Sequence, residues 1–539
     1  MQVNSMPKRF NTTGLCLPEK HYMADISSHL HKITAYVEDG AYFSINCARQ
    51  YGKTTTLNAL EHHLNKNYLV VSLDFQALGN ASFQNENVFS LTFAEYFLRE
   101  LRAENLPAAL LKQLHSLKSA IQDKSNMFVL FHLFGYITSI CEAAPRPIVL
   151  MIDEIDSASN NQVFLDFLAQ LRYFYLERER RNMPAFYSVI LAGVHDIERL
   201  KLKLRSENDH KFNSPWNIAA DIDIDMSLTF DGIKQMLFDY ENDHHTGMDV
   251  PAIAKLIYDY TSGYPFLVSR ICKLADEDIS NGTEFPGKSA AWTRNGVLAA
   301  IRKLISERNT LFESLTEKLD RYPELARMLH TLLFTGKPLP YNADSEVVAL
   351  ASMFGFIKNK DETIAITNRI FETRIYNRFL SEAELQENDI YKASLWDKNQ
   401  FIVGGHLDMR LVLERFIQHF HDIYENSDEK FIEESGRKLF LLYLRPIING
   451  CGNYYIESRT RSMGRTDVIV DYRGEQQIIE IKIWRGQEYH NRGEQQIIGY
   501  LDDYHIDKGY MLSFCFNKKK KISIQEIVIG NKTVVEAMV

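Results

Sequence analysis

Cysteine is scarce in this 539-residue chain. Cys16, Cys47, Cys141, Cys272, Cys451 and Cys515 stand far apart and form no CxxC pair. That excludes a zinc knuckle or a disulfide framework and points to a reducing cytoplasm. No window approaches the ~18 consecutive apolar residues that would cross a bilayer. The N-terminus has no apolar stretch of the signal type, so neither a membrane span nor secretion is expected. Positive charge is not in excess: 61 Lys and Arg face 70 Asp and Glu, a formal net charge of -9. Any contact with nucleic acid must therefore come from a local patch. Internal repeats and low-complexity tracts are also missing. What remains is ordinary globular composition, 45% hydrophobic and 24% charged, at a length that calls for two to four domains.

Apolar periodicity supplies the outline. Residues 26–40 read as an amphipathic helix leading into a strand at 41–46, then a loop, then a helix through about 65. Residues 68–75, 147–152 and 186–193 read as strands apolar on both faces, as buried parallel strands are. Residues 86–144 and 160–181 between them are mostly helical. Strands alternating with helices predict an open α/β sheet. After Ile222 the pattern turns helical, at 230–241, 251–262, 266–275 and twice within 306–335. A short helix at 347–354 and an alternating hairpin at 355–366 outline a winged helix. Residues 381–400 are polar and read as a linker. Helices at 411–424 and 431–448 then precede a strand-rich segment from Tyr454 to Phe516.

Two sets of residues carry chemistry. The first is Arg49-Gln50-Tyr51-Gly52-Lys53-Thr54-Thr55, between a strand and a helix. A phosphate loop needs a glycine where backbone N–H groups approach phosphate, a lysine for the β and γ oxygens, and a hydroxyl for Mg²⁺. Gly52, Lys53 and Thr54 supply the end of that pattern; its first position, usually glycine, is Cys47. The buried strand at 147–152 then delivers Asp153 and Glu154 at its carboxyl edge, where open α/β sheets place ligands. Asp153, with Thr54, is expected to hold Mg²⁺, and Glu154 to polarise the attacking water.

These residues, with Phe10-Asn11-Thr12-Thr13-Gly14, Pro18-Glu19-Lys20-His21-Tyr22-Met23, Ser214-Pro215-Trp216-Asn217-Ile218-Ala219 and Thr261-Ser262-Gly263-Tyr264-Pro265-Phe266-Leu267, resemble a bacterial AAA-like ATPase family of the STAND or Orc type over about residues 8–380. The resemblance implies that ATP is the cofactor and that the segment around His21 contacts its adenine side. It implies that Gly263-Tyr264-Pro265 reports nucleotide state from a lid. His195 or Asp196 is the candidate for the polar sensor after the fourth strand, and neither is the usual Asn, Ser or Thr. Arg199 and Arg205 are the arginines weighed as a finger. AAA-type proteins commonly assemble because a neighbour completes the site, so a homo-oligomer is expected on that ground.

The second set lies near the C-terminus. Glu480 and Lys482 stand two apart on an otherwise apolar strand, which puts both on one face. Asp467 opens the preceding strand, and a hairpin through Tyr472-Arg473-Gly474-Glu475 would bring it beside them. Two acids that hold Mg²⁺ and a cation that positions water are what phosphodiester hydrolysis requires. With Gln496 and Tyr500 four apart on a helix, the set resembles the PD-(D/E)XK nuclease superfamily in its RecB-like branch, over about residues 405–520. Arg465-Thr466-Asp467 replaces the usual Pro-Asp. The resemblance implies that Gln496 and Tyr500 orient the site and the nucleic-acid backbone. Glu434, or equally Glu433, would be an additional acid at the metal, and Glu457 is a further candidate. Mn²⁺ is an alternative to Mg²⁺ there. Arg459, Arg461, Arg465 and the run Lys518–Lys521 are candidate phosphate contacts, and Trp484 and Tyr489 candidate base-stacking residues.

The fold expected is therefore α/β: a P-loop NTPase parallel sheet with a helical lid and winged helix, plus a C-terminal α/β restriction-endonuclease-like domain. The expected boundaries are 1–225 for the ATPase core, 226–305 for the lid, 306–380 for the winged helix, 381–400 for a linker and 401–539 for the nuclease-like domain. The function expected is ATP-regulated, metal-dependent cleavage of nucleic acid, DNA first, in the cytoplasm. By analogy with other ATPase–nuclease fusions it would serve defence against phage or mobile DNA. The other reading is a nucleotide-dependent switch whose C-terminal domain binds nucleic acid or a partner without cutting.

Overall fold

The computed structural model describes residues 7–101, 106–123, 127–194, 216, 220, 224–334, 339–381, 387–424, 433–448, 452–457, 466–472, 475–483, 487–503, 506–515 and 522–539. The chain divides into two compact units. One comprises residues 1–236 with Tyr264–Phe266, and the other residues 237–263 with 267–539.

The first unit is built on four parallel strands: β1 (Tyr42–Asn46), β2 (Leu69–Asp74), β3 (Ile148–Asp153) and β4 (Ser188–Gly193), in the order β1-β4-β3-β2. The apolar runs that predicted them are apolar because both faces are covered. Leu150 and Ile152 of β3 face a core shared with Phe93, Phe134, Phe164 and Phe167, from helices Glu86–Glu100, Leu130–Ala143 and Gln162–Arg181. Val149 and Met151 face the opposite core, with Ile33, Leu57 and Leu60 from helices Ser27–Glu38 and Lys53–Leu64. The period of two along each strand thus splits one sequence between two cores. Trp216 closes the first core: it stacks on Tyr42 and donates from Nε1 to Ser44 Oγ at 2.9 Å. All four strands point their carboxyl ends to one edge, where the loop after β1 and the acids after β3 meet.

The second unit begins with helices. Asp249 caps Val250–Thr261 by accepting from the Ala252 N–H, and Pro251 occupies the first turn, where it costs no hydrogen bond. Pro265–Lys273 runs on into a π-helical turn, Leu274–Ile279. Helix Arg294–Ser306 was not anticipated; its Gly296 is required because a Cβ there would lie 2.3 Å from the Ala291 carbonyl oxygen. Helices Thr310–Arg321, Pro323–Phe334 and Glu346–Met353 lead to the expected hairpin of β5 (Ile357–Lys360) and β6 (Thr363–Ile366), in register Ile357 to Ile366. A further helix, Arg369–Phe379, capped by Asn368, follows the hairpin.

The polar stretch 381–400 does more than connect. Asp389–Asp397 is a helix with Ile390 buried, and Asp397 accepts from His419 Nε2 at 2.7 Å and from the Tyr443 hydroxyl at 3.2 Å. After a two-residue hairpin, β7 (Ile402–Val403) and β8 (His406–Leu407), come helices Met409–Tyr424 and Glu433–Ile448 and the strands β9 (Gly452–Glu457), β10 (Thr466–Tyr472), β11 (Glu475–Ile483), β12 (Lys508–Phe514), β13 (Ser523–Ile529) and β14 (Lys532–Met538). They form one mixed sheet, β13-β14-β12-β11-β10-β9, with β11, β12 and β14 parallel. The strand-rich segment therefore runs past Phe516 to Met538, and β14 is interior to the sheet. Helix Gln487–Asp503 covers one face through Ile497, Tyr500 and Leu501. Phe416 and Phe420 of helix Met409–Tyr424 cover the other by packing on Phe514.

Candidate functional site

At the carboxyl edge of the parallel sheet, Gly52 takes φ 79° as the residue before helix Lys53–Leu64, a left-handed conformation that favours glycine. Gln50 is also left-handed, at φ 61°. Cys47 is not among the left-handed residues, and its N–H donates to the Gly193 carbonyl at 3.2 Å, extending the β1–β4 ladder by one step. Position 47 thus needs no glycine here. Burial pushes the Cys47 thiol up to about 11, so it is a neutral, unreactive group.

The Lys53 ammonium is buried and donates to the carbonyls of Cys47 at 3.0 Å and Ala48 at 3.2 Å, so its charge is folded onto the loop. The Thr54 hydroxyl donates to Asp153 Oδ2 at 2.7 Å across 99 residues of sequence. Hydroxyl and carboxylate oxygens meeting at one point are hard donors of the kind Mg²⁺ takes, and Thr54 and Asp153 fit that ion. Asp153 Oδ1 accepts the Glu154 N–H at 2.9 Å, and Glu154 sits at φ 54°, ψ 41°, which turns the chain sharply after β3. Burial raises the carboxyl of Asp153 above its ordinary range. Glu154 is raised by burial first and by the neighbouring Asp153 charge second. Two acids with elevated proton affinity beside a lysine and an N-terminal helix turn make a polar cluster of the kind a phosphate–metal complex requires.

Asp156 Oδ2 accepts the Val194 N–H at 2.6 Å, tying the turn after β3 to the end of β4. Sequence reasoning passed over Asp156. Its signal was the repeat of an acid three residues after Asp153.

The N-terminal segment closes another side. The Cys16 N–H donates to the Thr55 hydroxyl at 3.2 Å, and His21 Nδ1 accepts the Leu17 N–H at 2.9 Å. An accepting Nδ1 places the ring proton on Nε2. Burial, then Arg9 and Lys20, lowers the His21 pKa, so the ring is neutral. The Tyr264 hydroxyl donates to the Arg49 carbonyl at 2.6 Å and its ring lies 4.4 Å from that of Tyr51, whose own hydroxyl is 3.3 Å from Ser227 Oγ. Pro265 starts the next helix. The segment Gly263-Tyr264-Pro265 thus reaches the phosphate loop through Tyr264. The candidates His195, Asp196, Arg199 and Arg205 lie outside the described residues.

In the C-terminal sheet, Glu480 and Lys482 of β11 share a face. Glu480 is fully buried, and Lys482 Nζ lies 2.8 Å from Glu480 Oε1 and donates to Gln496 Oε1 at 2.8 Å. Helix Gln487–Asp503 supplies Gln496 and, one turn on, Tyr500, which is buried in the core beneath it. In the antiparallel pairing of β10 with β11, Val468 stands opposite Ile479. Asp467, one residue earlier, is therefore at the register position of Glu480, beside an irregularity between Thr466 and Ile469 on the β9 side. For Asp467, Glu433, Glu434, Glu457 and Tyr489 only the backbone is described. Arg459, Arg461, Arg465, Trp484 and Lys518–Lys521 lie outside the described residues. Among the described residues no group of three or more His, Cys, Asp or Glu is placed to share a metal ion. No helix among them is long and apolar enough to cross a membrane.

The chain is similar to several known proteins and matches one family model. Among solved structures, the Walker-type ATPase of Pyrococcus abyssi is 14% identical, with a TM-score of 0.43 over 68% of this chain and 99% of that one. The ORC2 protein of Aeropyrum pernix in ADPNP and ADP complexes is 11% identical, with a TM-score of 0.35 over 66% and 94%. RuvB of Thermotoga maritima is 13% identical, with a TM-score of 0.32 over 67% and 96%. No curated protein matches. The AAA-like domain family matches residues 15–382, more than half of the sequence and the whole of the phosphate-loop site. The chain belongs to the AAA-like domain family.

Proposed function

We propose that this chain binds and hydrolyses ATP at the β1–β3 edge and that a metal-dependent nuclease site in its C-terminal domain is regulated by that cycle. The ATP half rests on family membership and on the Thr54–Asp153 contact. In this reading Lys53 leaves the loop carbonyls for the β and γ phosphates, Gln50, Tyr51, Gly52 and Thr55 complete the loop, and Glu154 accepts a proton from the attacking water. His21 and Pro265 border the nucleotide. The domain limits 1–225, 226–305, 306–380, 381–400 and 401–539 belong to the same proposal, as does assembly with further copies of the chain.

The observation that carries the nuclease half is the Lys482 ammonium held 2.8 Å from both Glu480 and Gln496, with Asp467 at the register position opposite Glu480. Asp467 and Glu480, with Glu434 as an additional acid, would hold Mg²⁺ or Mn²⁺, which supplies Lewis acidity to a phosphodiester. Lys482 would orient water, Gln496 fixes the ammonium, and Tyr500 braces the helix that carries Gln496. DNA is the substrate favoured, and defence against phage or mobile DNA the role. The complete burial of Glu480 favours a second reading, in which the domain binds nucleic acid or a protein partner without cutting.

A cleavage assay tests both. Plasmid, linear duplex, single-stranded DNA and RNA are incubated with Mg²⁺ or Mn²⁺, with and without ATP, beside Lys53→Ala and Glu480→Ala. Cutting that disappears in Glu480→Ala, and that responds to ATP in the unmodified chain but not in Lys53→Ala, is expected. Nucleotide binding with no cutting of any substrate would favour the second reading.

A further inference from the structure

A second buried acid lies two strands from Glu480 in the C-terminal sheet. Glu536 stands in β14 between the buried Val535 and Ala537 and is 1% exposed. The register sets it in one row with Glu480. Glu480 of β11 stands beside Met511 of β12, Met511 beside Glu536, and Glu536 beside Gln525 of β13. Residues in register share a face of the sheet. Met511 and Val534 identify that face, since both pack with Ile497 and Tyr500 of helix Gln487–Asp503. Glu480, Lys482 and Glu536 therefore lie on the side of the sheet that faces Gln496.

Two neutral donors orient Glu536. The Ser513 hydroxyl donates to Oε1 at 3.0 Å and the Gln525 amide to Oε2 at 2.9 Å. They fix the carboxylate without cancelling its charge. Ser513 is itself 1% exposed and stands in register with Lys482, one strand spacing or about 4.8 Å away. On this face Ser513 is thus the residue between Lys482 and Glu536. A carboxylate withdrawn from water is costly unless a cation or a set of donors offsets it. The Lys482 ammonium, already 2.8 Å from Glu480 and from Gln496, is placed to offset both acids of the row.

We propose that Glu536 is a positioning residue for Lys482, acting through Ser513. Glu480 draws the ammonium to one side, and the Ser513–Glu536 pair draws it toward β12. The ammonium is then held between two carboxylates instead of closing onto one. Gln525 keeps Glu536 turned to Ser513. That Lys482 serves phosphodiester cleavage rests on the reading above; its tie to Glu536 does not. Orienting water needs an ammonium at a fixed point, and side chains from several strands and a helix fix that point better than one ion pair.

The test uses the full chain and two readouts. The first is thermal melting without metal or nucleotide. Glu536→Gln removes the charge, while Ser513 and Gln525 can still hydrogen-bond to the new amide by turning their own polar groups. Its effect on the melting temperature should be more favourable in a Lys482→Met chain than in the unmodified one, by at least about 2 °C. Without the ammonium, Glu536 is a buried charge with less to offset it. Equal effects in the two backgrounds overturn the proposal, whatever is cut. The second readout is cleavage under Mg²⁺. Glu536→Gln and Ser513→Ala are expected to lower kcat at least about tenfold with KM within about twofold. Ser513→Thr, which keeps the hydroxyl, should recover most of that loss. Should Glu536→Gln fail to fold, Ser513→Ala is carried through both readouts in its place. Coupled melts with unchanged kcat in Glu536→Gln overturn the positioning role. Coupled melts in a chain that cuts no substrate leave the tie between Glu536 and Lys482 standing, and the nuclease reading falls.

Discussion

Replacing Glu154 by glutamine removes one proton-accepting group and leaves the phosphate loop as it is. The Glu154 backbone N–H donates to Asp153 Oδ1 whatever the side chain, and Lys53 and Thr54 make their contacts with Cys47, Ala48 and Asp153. Nucleotide affinity should therefore change by less than about threefold, or roughly 0.7 kcal/mol. Turnover should fall much further. A positioned general base contributes about 10²–10⁴-fold, which is roughly 3–5 kcal/mol of barrier. Burial and the adjacent Asp153 charge hold the Glu154 carboxyl above its ordinary range, which makes its carboxylate a better base than an exposed glutamate. Phosphate release under saturating Mg²⁺–ATP, beside a titration with a fluorescent nucleotide, reads the two quantities separately. Turnover that stays within about tenfold, or an affinity that collapses together with turnover, would refute the assignment of Glu154 as the base.

Four further predictions follow, three from the same geometry and one from the C-terminal sheet. ATP turnover should drop on the acid side at a higher pH than an ordinary glutamate would give, because Glu154 takes up a proton as pH falls through its raised pKa, and a profile of kcat against pH reads this directly. The raised Asp153 pKa means that its protonated form favours the folded state, a contribution present at low pH and lost as pH rises through that pKa. Asp153→Asn, which mimics the protonated form, should therefore raise the melting temperature of the nucleotide-free chain at neutral pH while abolishing Mg²⁺-dependent turnover. Gly193→Ala would place a Cβ 2.7 Å from Ile155 Cγ1 and 3.2 Å from Asp156 Oδ2, so it should cost about 1–3 kcal/mol in a thermal melt and lower turnover by displacing the turn that carries Glu154. In the C-terminal sheet, Lys482→Met leaves the fully buried Glu480 without its cation and should destabilise by about 3–5 kcal/mol, whereas Glu480→Gln with Lys482→Met should recover most of that loss; equal melting temperatures for the single and double variants would contradict the pairing.

The strands at 68–75, 147–152 and 186–193 were legible because each is apolar on both faces, as a strand in a sheet covered on both sides is. The phosphate-loop residues were legible for a different reason: Gly52, Lys53 and Thr54 are adjacent, so one loop fixes their geometry. Cys47 shows where a motif and its physics part. The missing glycine looked like a defect, yet the backbone at 47 continues the β1–β4 ladder, and the left-handed conformations fall at Gln50 and Gly52. Helices Arg294–Ser306 and Arg369–Phe379 went unread between stronger signals, and β13 and β14 lay past the residues that carry the candidate chemistry. The helix Asp389–Asp397 was hidden by polar composition, since a helix that anchors through Ile390 and Asp397 needs few apolar residues to be held.

What the sequence could not disclose is contact over distance. Tyr264 meets Arg49 across 215 residues and Tyr260 meets Asp471 across 211, and in both cases the phenol looks like any other buried aromatic in its helix or turn. The resemblance named the segment Gly263-Tyr264-Pro265 as a whole, and the hydroxyl that reaches the phosphate loop is that of Tyr264. The same holds in the C-terminal sheet, where spacing alone put Glu480 and Lys482 on one face. The helix that brings Gln496 to 2.8 Å from that lysine is what turns a pair of charges on a strand into a fixed polar cluster. A charge buried at 0% exposure persists only where such partners are supplied by the rest of the fold. The arrangement around Glu480 is therefore one that hydrophobic packing alone would not retain, and it depends on the Lys482 ammonium that Gln496 holds in place.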